Sequence, residues 1–210
     1  PLQLMLKRLL DIFGGIALSI VAVLAIIIVG PIIKIKSPGP ILYKQERIGQ
    51  NGRRFKMFKI RSMYMDADAR KQELMKQNRV ASGMMFKLDF DPRIIGCEKR
   101  PDGTVKKGIG NYIRDWSIDE LPQLLNVLKG DMSLVGPRPE VPFYVEQFRE
   151  TVPLYMVKNQ VRPGITGWAQ VNGLRGDTSI PDRIKHDLWY IENWSFRLDI
   201  VILFRTVFGG

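Results

Sequence analysis

Residues 12–33 read I-F-G-G-I-A-L-S-I-V-A-V-L-A-I-I-I-V-G-P-I-I, 22 residues without a charge in which Ser19 carries the only hydroxyl. As an α-helix the run measures about 33 Å, close to the thickness of a bilayer's hydrocarbon core. A helix with no polar face does not suit the surface of a 24.1 kDa globular protein, so the segment reads as membrane-associated rather than as a core helix. A cleaved signal peptide fits less well. The run is longer than the usual apolar region of a leader, and Pro31, Lys34 and Lys36 offer no small-residue cleavage site. Cations flank both ends: Lys7 and Arg8 before, then Lys34, Lys36, Lys44 and Arg47 after. A spanning helix is expected to have one flank poor in Lys and Arg. Gly30-Pro31 offers a break, because proline lacks a backbone donor and clashes with the preceding turn. The pattern predicts a re-entrant anchor over residues 1–36 with both ends on the cytoplasmic side, closed by Ser37-Pro38-Gly39-Pro40, with a true span as the alternative.

The surroundings of this segment are basic. The chain of 210 residues carries 32 Lys+Arg against 21 Asp+Glu, a formal charge of +11. Residues 1–62 alone hold 11 Lys+Arg and 2 acids. Anionic partners follow: phospholipid, phosphorylated metabolites or nucleic acid. Cys97 and His186 stand alone, which excludes a disulfide framework, a multi-Cys zinc site and a histidine relay. Any chemistry must run on carboxylates, Arg and Lys.

Beyond the anchor, residues 37–210 are expected to form one domain, α+β and mainly helical. Ile41–Tyr43 and Phe55–Ile60 read as strands about a Gly49-Gln50-Asn51-Gly52 turn. Helices are expected over 64–80 (with Leu74 and Met75 inward), 119–129 (stopping at Gly130), about 140–150, and from Pro181 to Trp194. The aromatic tail, with Trp189, Tyr190, Trp194, Phe196, Phe204 and Phe208, suits a core or a pair of interfacial helices equally.

The densest chemical signal is R-D-W-S-I-D-E-L-P-Q-L-L-N-V-L-K-G-D-M-S-L-V-G-P-R-P-E, Arg114 to Glu140. Ser117-x-x-Glu120 matches a capping box, which would place Asp119 and Glu120 in a first helical turn; Pro122 sits awkwardly for that register, and Asp119 as the N-cap is the alternative. There the positive helix end favours an ionised carboxylate and a neighbouring phosphate. An ionised carboxylate is a competent nucleophile toward phosphorus. Asp and Glu at a helix start are also, more plainly, caps. From charge alone the chain could instead be a non-catalytic module docking nucleic acid or anionic lipid. Its basic residues lack the aromatic interleaving of a strand-tracking groove, so nucleic acid is not an expected partner.

The run Ser117–Leu124, then Asn126–Ser133, then Gly136-Pro137-Arg138-Pro139 resembles the bacterial sugar transferase family, the monotopic polyprenyl-phosphate phosphoglycosyl transferases. Lys7-Arg8-x-x-Asp11, Tyr43-Lys44-Gln45, Arg47-x-Gly49, Phe58–Met63 and Arg162–Gly173 extend the likeness over nearly the whole chain. The resemblance implies that Asp119 and Glu120 form the catalytic pair. Asp119 would attack a UDP-sugar, expel UMP and hold a phosphosugar that polyprenyl phosphate then takes. It implies Mg²⁺ near Asp119 and Glu120, substrate contacts from Arg114 and from Pro137, Arg138 and Pro139, and further phosphate or headgroup roles for Lys59 and Arg61. Phospholipid, UDP-sugar and polyprenyl (undecaprenyl) phosphate are the implied partners, with a homodimer admitted. The implied place is the cytoplasmic face of a bacterial inner membrane, at the first membrane step of exopolysaccharide, capsule or O-antigen synthesis. Glucose or galactose is the favoured sugar.

Two features depart from the family pattern. Val23-Leu24 stands where many members carry a mid-helix Ser-Pro, and Asn172-Gly173-Leu174-Arg175 shifts a basic residue by one place. Pro1 in place of Met, and a tail like that of long members from Trp189 to Ile200, suggest the catalytic part of a longer protein.

Overall fold

The apolar run and its flanks form one continuous helix, α1 (Leu2–Lys36), with Pro31 inside it. Gly30-Pro31 therefore does not end the helix; Ser37-Pro38 does, and Ser37 N still bonds to the carbonyl of Ile33 at 2.8 Å. Asp11, Gly15, Ala22, Val29 and Ile33 are buried, at intervals of four and seven residues that keep them on one helical seam. Phe13, Ile16, Ile20, Val23, Leu24, Ile27 and Ile28 are exposed. The helix thus has a protein-facing seam and an apolar remainder.

After α1 come β1 (Leu42–Ile48), β2 (Arg54–Ile60), α2 (Ala67–Leu74), β3 (Glu98–Lys99), β4 (Val105–Lys106), α3 (Ile109–Asp115), α4 (Leu124–Lys129), β5 (Ser133–Val135), α5 (Pro142–Thr151), β6 (Gly164–Thr166), α6 (Trp168–Val171), α7 (Ile180–Glu192) and α8 (Phe196–Phe208). The computed structural model describes residues 2–74, 88, 90–152, 154–176 and 178–209. The class is α+β, mainly helical, and its strands pair two at a time: β1 with β2, β3 with β4, β5 with β6. The expected hairpin is present, with Asn51 (φ 56°) and Gly52 (φ 75°) supplying left-handed turn residues. The helix expected over 64–80 is α2, and Met75 lies outside the described residues.

Contacts divide the chain into two units, one of residues 1–19, 44–57 and 123–210, the other of 20–43 and 58–122. In the first, Ile48, Val145, Phe148, Tyr155, Ile180 and Ile184 form the core. The parallel pair β5–β6 sets Ser133 opposite Gly164 and Val135 opposite Thr166. The backbones meet so closely there that a Cβ on Gly164 would lie 2.1 Å from the Gly136 nitrogen, which makes glycine obligatory. The first turns of α1 belong to this unit through polar contacts. Arg8 donates to the carbonyls of Val127 and Leu128 at 2.8 and 2.9 Å, satisfying the end of α4. Asp11 accepts from Ser133 Oγ and Leu134 N at 2.9 and 2.8 Å. Lys7 Nζ lies 2.6 Å from Asp199 Oδ2, and Tyr190 and Trp194 also donate to that carboxylate. On α8, Asp199 and Ile202 are buried while Ile200, Val201, Phe204, Val207 and Phe208 are exposed, so the aromatic tail is core on one face and apolar surface on the other.

In the second unit Val29 and Ile33 of α1 pack with Ile60, Ile95 and Ile113. Arg61 closes the chain reversal after α1: its guanidinium donates to Ser37 Oγ (2.9 Å), the Pro38 carbonyl (3.2 Å) and the Ser37 carbonyl (2.5 Å).

Asp199 is wholly buried and its partner Lys7 nearly so, so Asp199→Leu should cost about 3–5 kcal/mol by leaving an ammonium uncompensated. A melting temperature in detergent unchanged from the parent would contradict this; a fall of roughly 10 °C is expected.

Candidate active site

Lys59 sits on β2 between Phe58 and the buried Ile60, with its side chain 16% exposed. Its ammonium lies 3.6 Å from Asp119 Oδ2 and 3.3 Å from Glu120 Oε1, and those carboxylates are 14% and 16% exposed. Two adjacent acids thus converge on one cation in a largely water-excluded place, where each interaction is stronger than at a free surface.

The local backbone differs from the expected helical turn. Ser117 has φ 55°, and its carbonyl accepts from Glu120 N at 3.1 Å, so the capping box is not formed. Asp119 and Glu120 lie in a 3₁₀ segment, Ile118–Gln123, and α4 begins only at Leu124. The cause is Pro122, which has no N–H to bond backward and disfavours α geometry at Leu121. The end of α4 is as expected, with Gly130 left-handed at φ 90°. The acids therefore stand in a tight turn beside Lys59, not at the end of an α-helix.

Among the described residues no group of three or more His, Cys, Asp or Glu could hold a metal. Asp119 and Glu120 do present hard oxygen donors to a single cation position, marked here by Lys59 Nζ. That donor set suits Mg²⁺, which takes one or two carboxylates and fills its shell with water and substrate phosphate.

The other expected residues are distributed differently. Arg61 belongs to the same unit, but it is 5% exposed and its guanidinium is taken up by Ser37 and Pro38. Desolvation lowers its pKa from the ordinary arginine value. Arg114 is exposed on the last turn of α3. Pro137 and Pro139 are buried in the other unit and Arg138 is half-buried between them. Arg138 lines a small cavity with Glu140, Lys158, Gln170, Arg183 and Asp187. Burial pushes the Asp187 carboxyl up, against the pull of Lys158 at 3.4 Å. Glu140, held by Arg183 at 2.7 Å, and the Arg47 side chain beside it adjoin this cavity without standing out by sequence spacing alone. Their signal was present in Arg47-x-Gly49 and in the acid that follows Pro139.

The model of the bacterial sugar transferase family matches residues 2–209. The chain belongs to that family. Three relatives show the range of its members. The UDP-N-acetylgalactosamine-undecaprenyl-phosphate N-acetylgalactosaminephosphotransferase of Aeromonas hydrophila is 39% identical over 99% of this chain and 44% of its own length. The UDP-glucose:undecaprenyl-phosphate glucose-1-phosphate transferase of Escherichia coli is 37% identical over 98% of this chain and 40% of its own. The undecaprenyl-phosphate galactose phosphotransferase of Salmonella typhimurium is 39% identical over 96% and 39%. The chain spans about two fifths of the length of these relatives.

Because Arg61 is committed to the turn after α1, Arg61→Met should destabilise the fold by about 2–3 kcal/mol through lost charge-assisted bonds. Arg114→Met, at an exposed position, should leave the melting temperature within about a degree. Calorimetry on the two variants compares them directly, and equal small effects would overturn the assignment of Arg61 to structure.

Proposed function

We propose that the chain catalyses transfer of a sugar 1-phosphate from a UDP-sugar to polyprenyl phosphate, giving polyprenyl-diphospho-sugar and UMP. The observation that carries this reading is the pairing of Asp119 and Glu120 on Lys59, in a chain of this family. An Asp119 oxygen attacks the β-phosphorus of the UDP-sugar. The bond from that phosphorus to the oxygen bridging the two phosphates breaks, and UMP leaves with the electron pair. The sugar phosphate is then held as an acyl phosphate on Asp119. A phosphate oxygen of the polyprenyl acceptor attacks the same phosphorus, and the bond to Asp119 breaks, restoring the carboxylate. Lys59 holds the two acids together before the donor arrives and lies within reach of the phosphate charge that replaces them as its partner. Asp119 and Glu120 would also hold Mg²⁺, which supplies neutralisation of phosphate charge when bound. Arg138, rigid between two prolines, contacts the nucleotide, and Arg114 is a second phosphate contact. Glucose or galactose is the sugar we favour. Relatives named for three different sugars match at 37–39% identity, so overall similarity does not choose among them.

The same reading places the protein on the cytoplasmic face of a bacterial membrane, at the first membrane step of exopolysaccharide, capsule or O-antigen synthesis. α1 is long and apolar enough to cross a bilayer. Its start pairs with Val127, Val135 and Asp199, and its end packs on Ile60, Ile95 and Ile113. All of these partners follow α1 in the chain, and the described residues after it contain no second such helix. We place both ends of α1 on the cytoplasmic side, a reading supported by the cations on both of its flanks, Lys7 and Arg8 before the apolar run and Lys34 and Lys36 after it.

Release of UMP from a panel of UDP-glucose, UDP-galactose and acetamido UDP-sugars, with polyprenyl phosphate and Mg²⁺, tests the reaction. Asp119→Asn should abolish release and the trapping of labelled phosphosugar on protein, and Glu120→Gln should cost at least about 100-fold. Near-normal turnover of Asp119→Asn would remove it as nucleophile, and activity indifferent to EDTA would remove the metal. In sealed cells, Leu4→Cys should resist an impermeant thiol reagent; labelling from outside would mean a spanning helix.

A further inference from the structure

The segment Pro137–Glu140 has no regular structure, and its prolines cannot donate backbone hydrogen bonds. Its carbonyls are instead tied from outside. Pro137 O accepts from Gly164 N at 2.9 Å, and Glu140 O accepts from Ile48 N at 3.0 Å. Between them, Pro139 O accepts from Arg47 Nη1 at 3.1 Å. The same guanidinium donates through Nη2 to Gln45 Oε1 at 2.6 Å and lies 4.0 Å from Glu140 Oε2. Arg183 takes the other Glu140 oxygen at 2.7 Å. The side chains of Arg47, Glu140 and Arg183 are only 12–14% exposed, so this fork is an internal clamp rather than a surface pair. It stands immediately beside Arg138, whose side chain shares a cavity wall with Glu140 and Arg183.

We infer that Arg47 is a positioning residue for the UDP-sugar: by clamping Pro139 and Glu140 it fixes the direction of the Arg138 guanidinium. The inference rests on the reading of Arg138 as a nucleotide contact. Arg47 bonds the Pro139 carbonyl directly, and through it acts on the backbone that carries Arg138. A planar fork can serve Pro139, Gln45 and Glu140 together, which a single ammonium cannot.

The test is UMP release by the detergent-extracted enzyme against UDP-sugar concentration, at saturating polyprenyl phosphate, for Arg47→Ala, Arg47→Lys, Arg138→Ala and the double alanine variant. Arg47→Ala should raise KM for UDP-sugar about tenfold with kcat within about threefold, leaving KM for polyprenyl phosphate unchanged. Arg47→Lys should fall between it and the parent. The double variant should be no worse than Arg138→Ala alone, because an effect exerted through Arg138 disappears with it. If Arg138→Ala raises KM while Arg47→Ala does not, or if the two effects multiply, the positioning role is overturned and the reading of Arg138 survives. If Arg138→Ala leaves KM untouched, both fall. Should Arg47→Ala fail to fold, an unchanged KM in Arg47→Lys overturns the inference by itself.

Discussion

A carboxylate with no exposed surface, Asp199, meets the ammonium of Lys7 at 2.6 Å, and much of the first unit's arrangement follows from that contact. An ion pair at such depth is tolerable only when each partner's remaining bonding capacity is met. Tyr190, Trp194 and the Val135 carbonyl meet it. Burial and the adjacent Asp199 charge push the Tyr190 hydroxyl far above its ordinary pKa, so it remains a donor. The pair joins the start of α1 to α8, and Arg8 and Asp11 extend the seam to α4 and β5. A helix apolar enough for lipid is thereby attached to protein by the three charged residues at its start.

The proposed chemistry uses the opposite arrangement. Lys59 lies between two acids that are neighbours in sequence, at distances of 3.3 and 3.6 Å rather than in a short, closed pair. Such a cation balances two adjacent carboxylates and, in the proposed reaction, can exchange them for the phosphate charge of the donor. Pro122 supports this by holding Ile118–Gln123 in a tight turn, which directs Asp119 and Glu120 toward β2. The seam at Lys7 secures structure, and the looser contact at Lys59 leaves room for exchange.

Several motif residues have a structural role in the fold. Arg61 matched a family motif and bonds the turn after α1; Gly164 and Gly136 stand where two backbones nearly touch. The basic excess of the first 62 residues reads as a surface for anions, yet Lys7, Arg8, Arg47, Lys59 and Arg61 all have partners inside the fold. A net charge counts ionised groups without saying which of them already have counter-ions.

Local physics was legible directly. The apolar run had to be a lipid-compatible helix, Asn51-Gly52 had to turn a hairpin, Gly130 had to end a helix, and the order of motifs pointed to the family. These depend on neighbours within a few residues, where propensity and spacing decide. The turn at Ser117, the continuity of α1 through Pro31, the placement of Lys59 between Asp119 and Glu120, and the hold of Arg47 on Pro139 were settled only by tertiary structure. Each joins residues far apart in the chain or sets packing against a local preference. Lys59 lies 61 residues from Glu120 and Arg47 lies 92 from Pro139, separations over which spacing carries no information about contact.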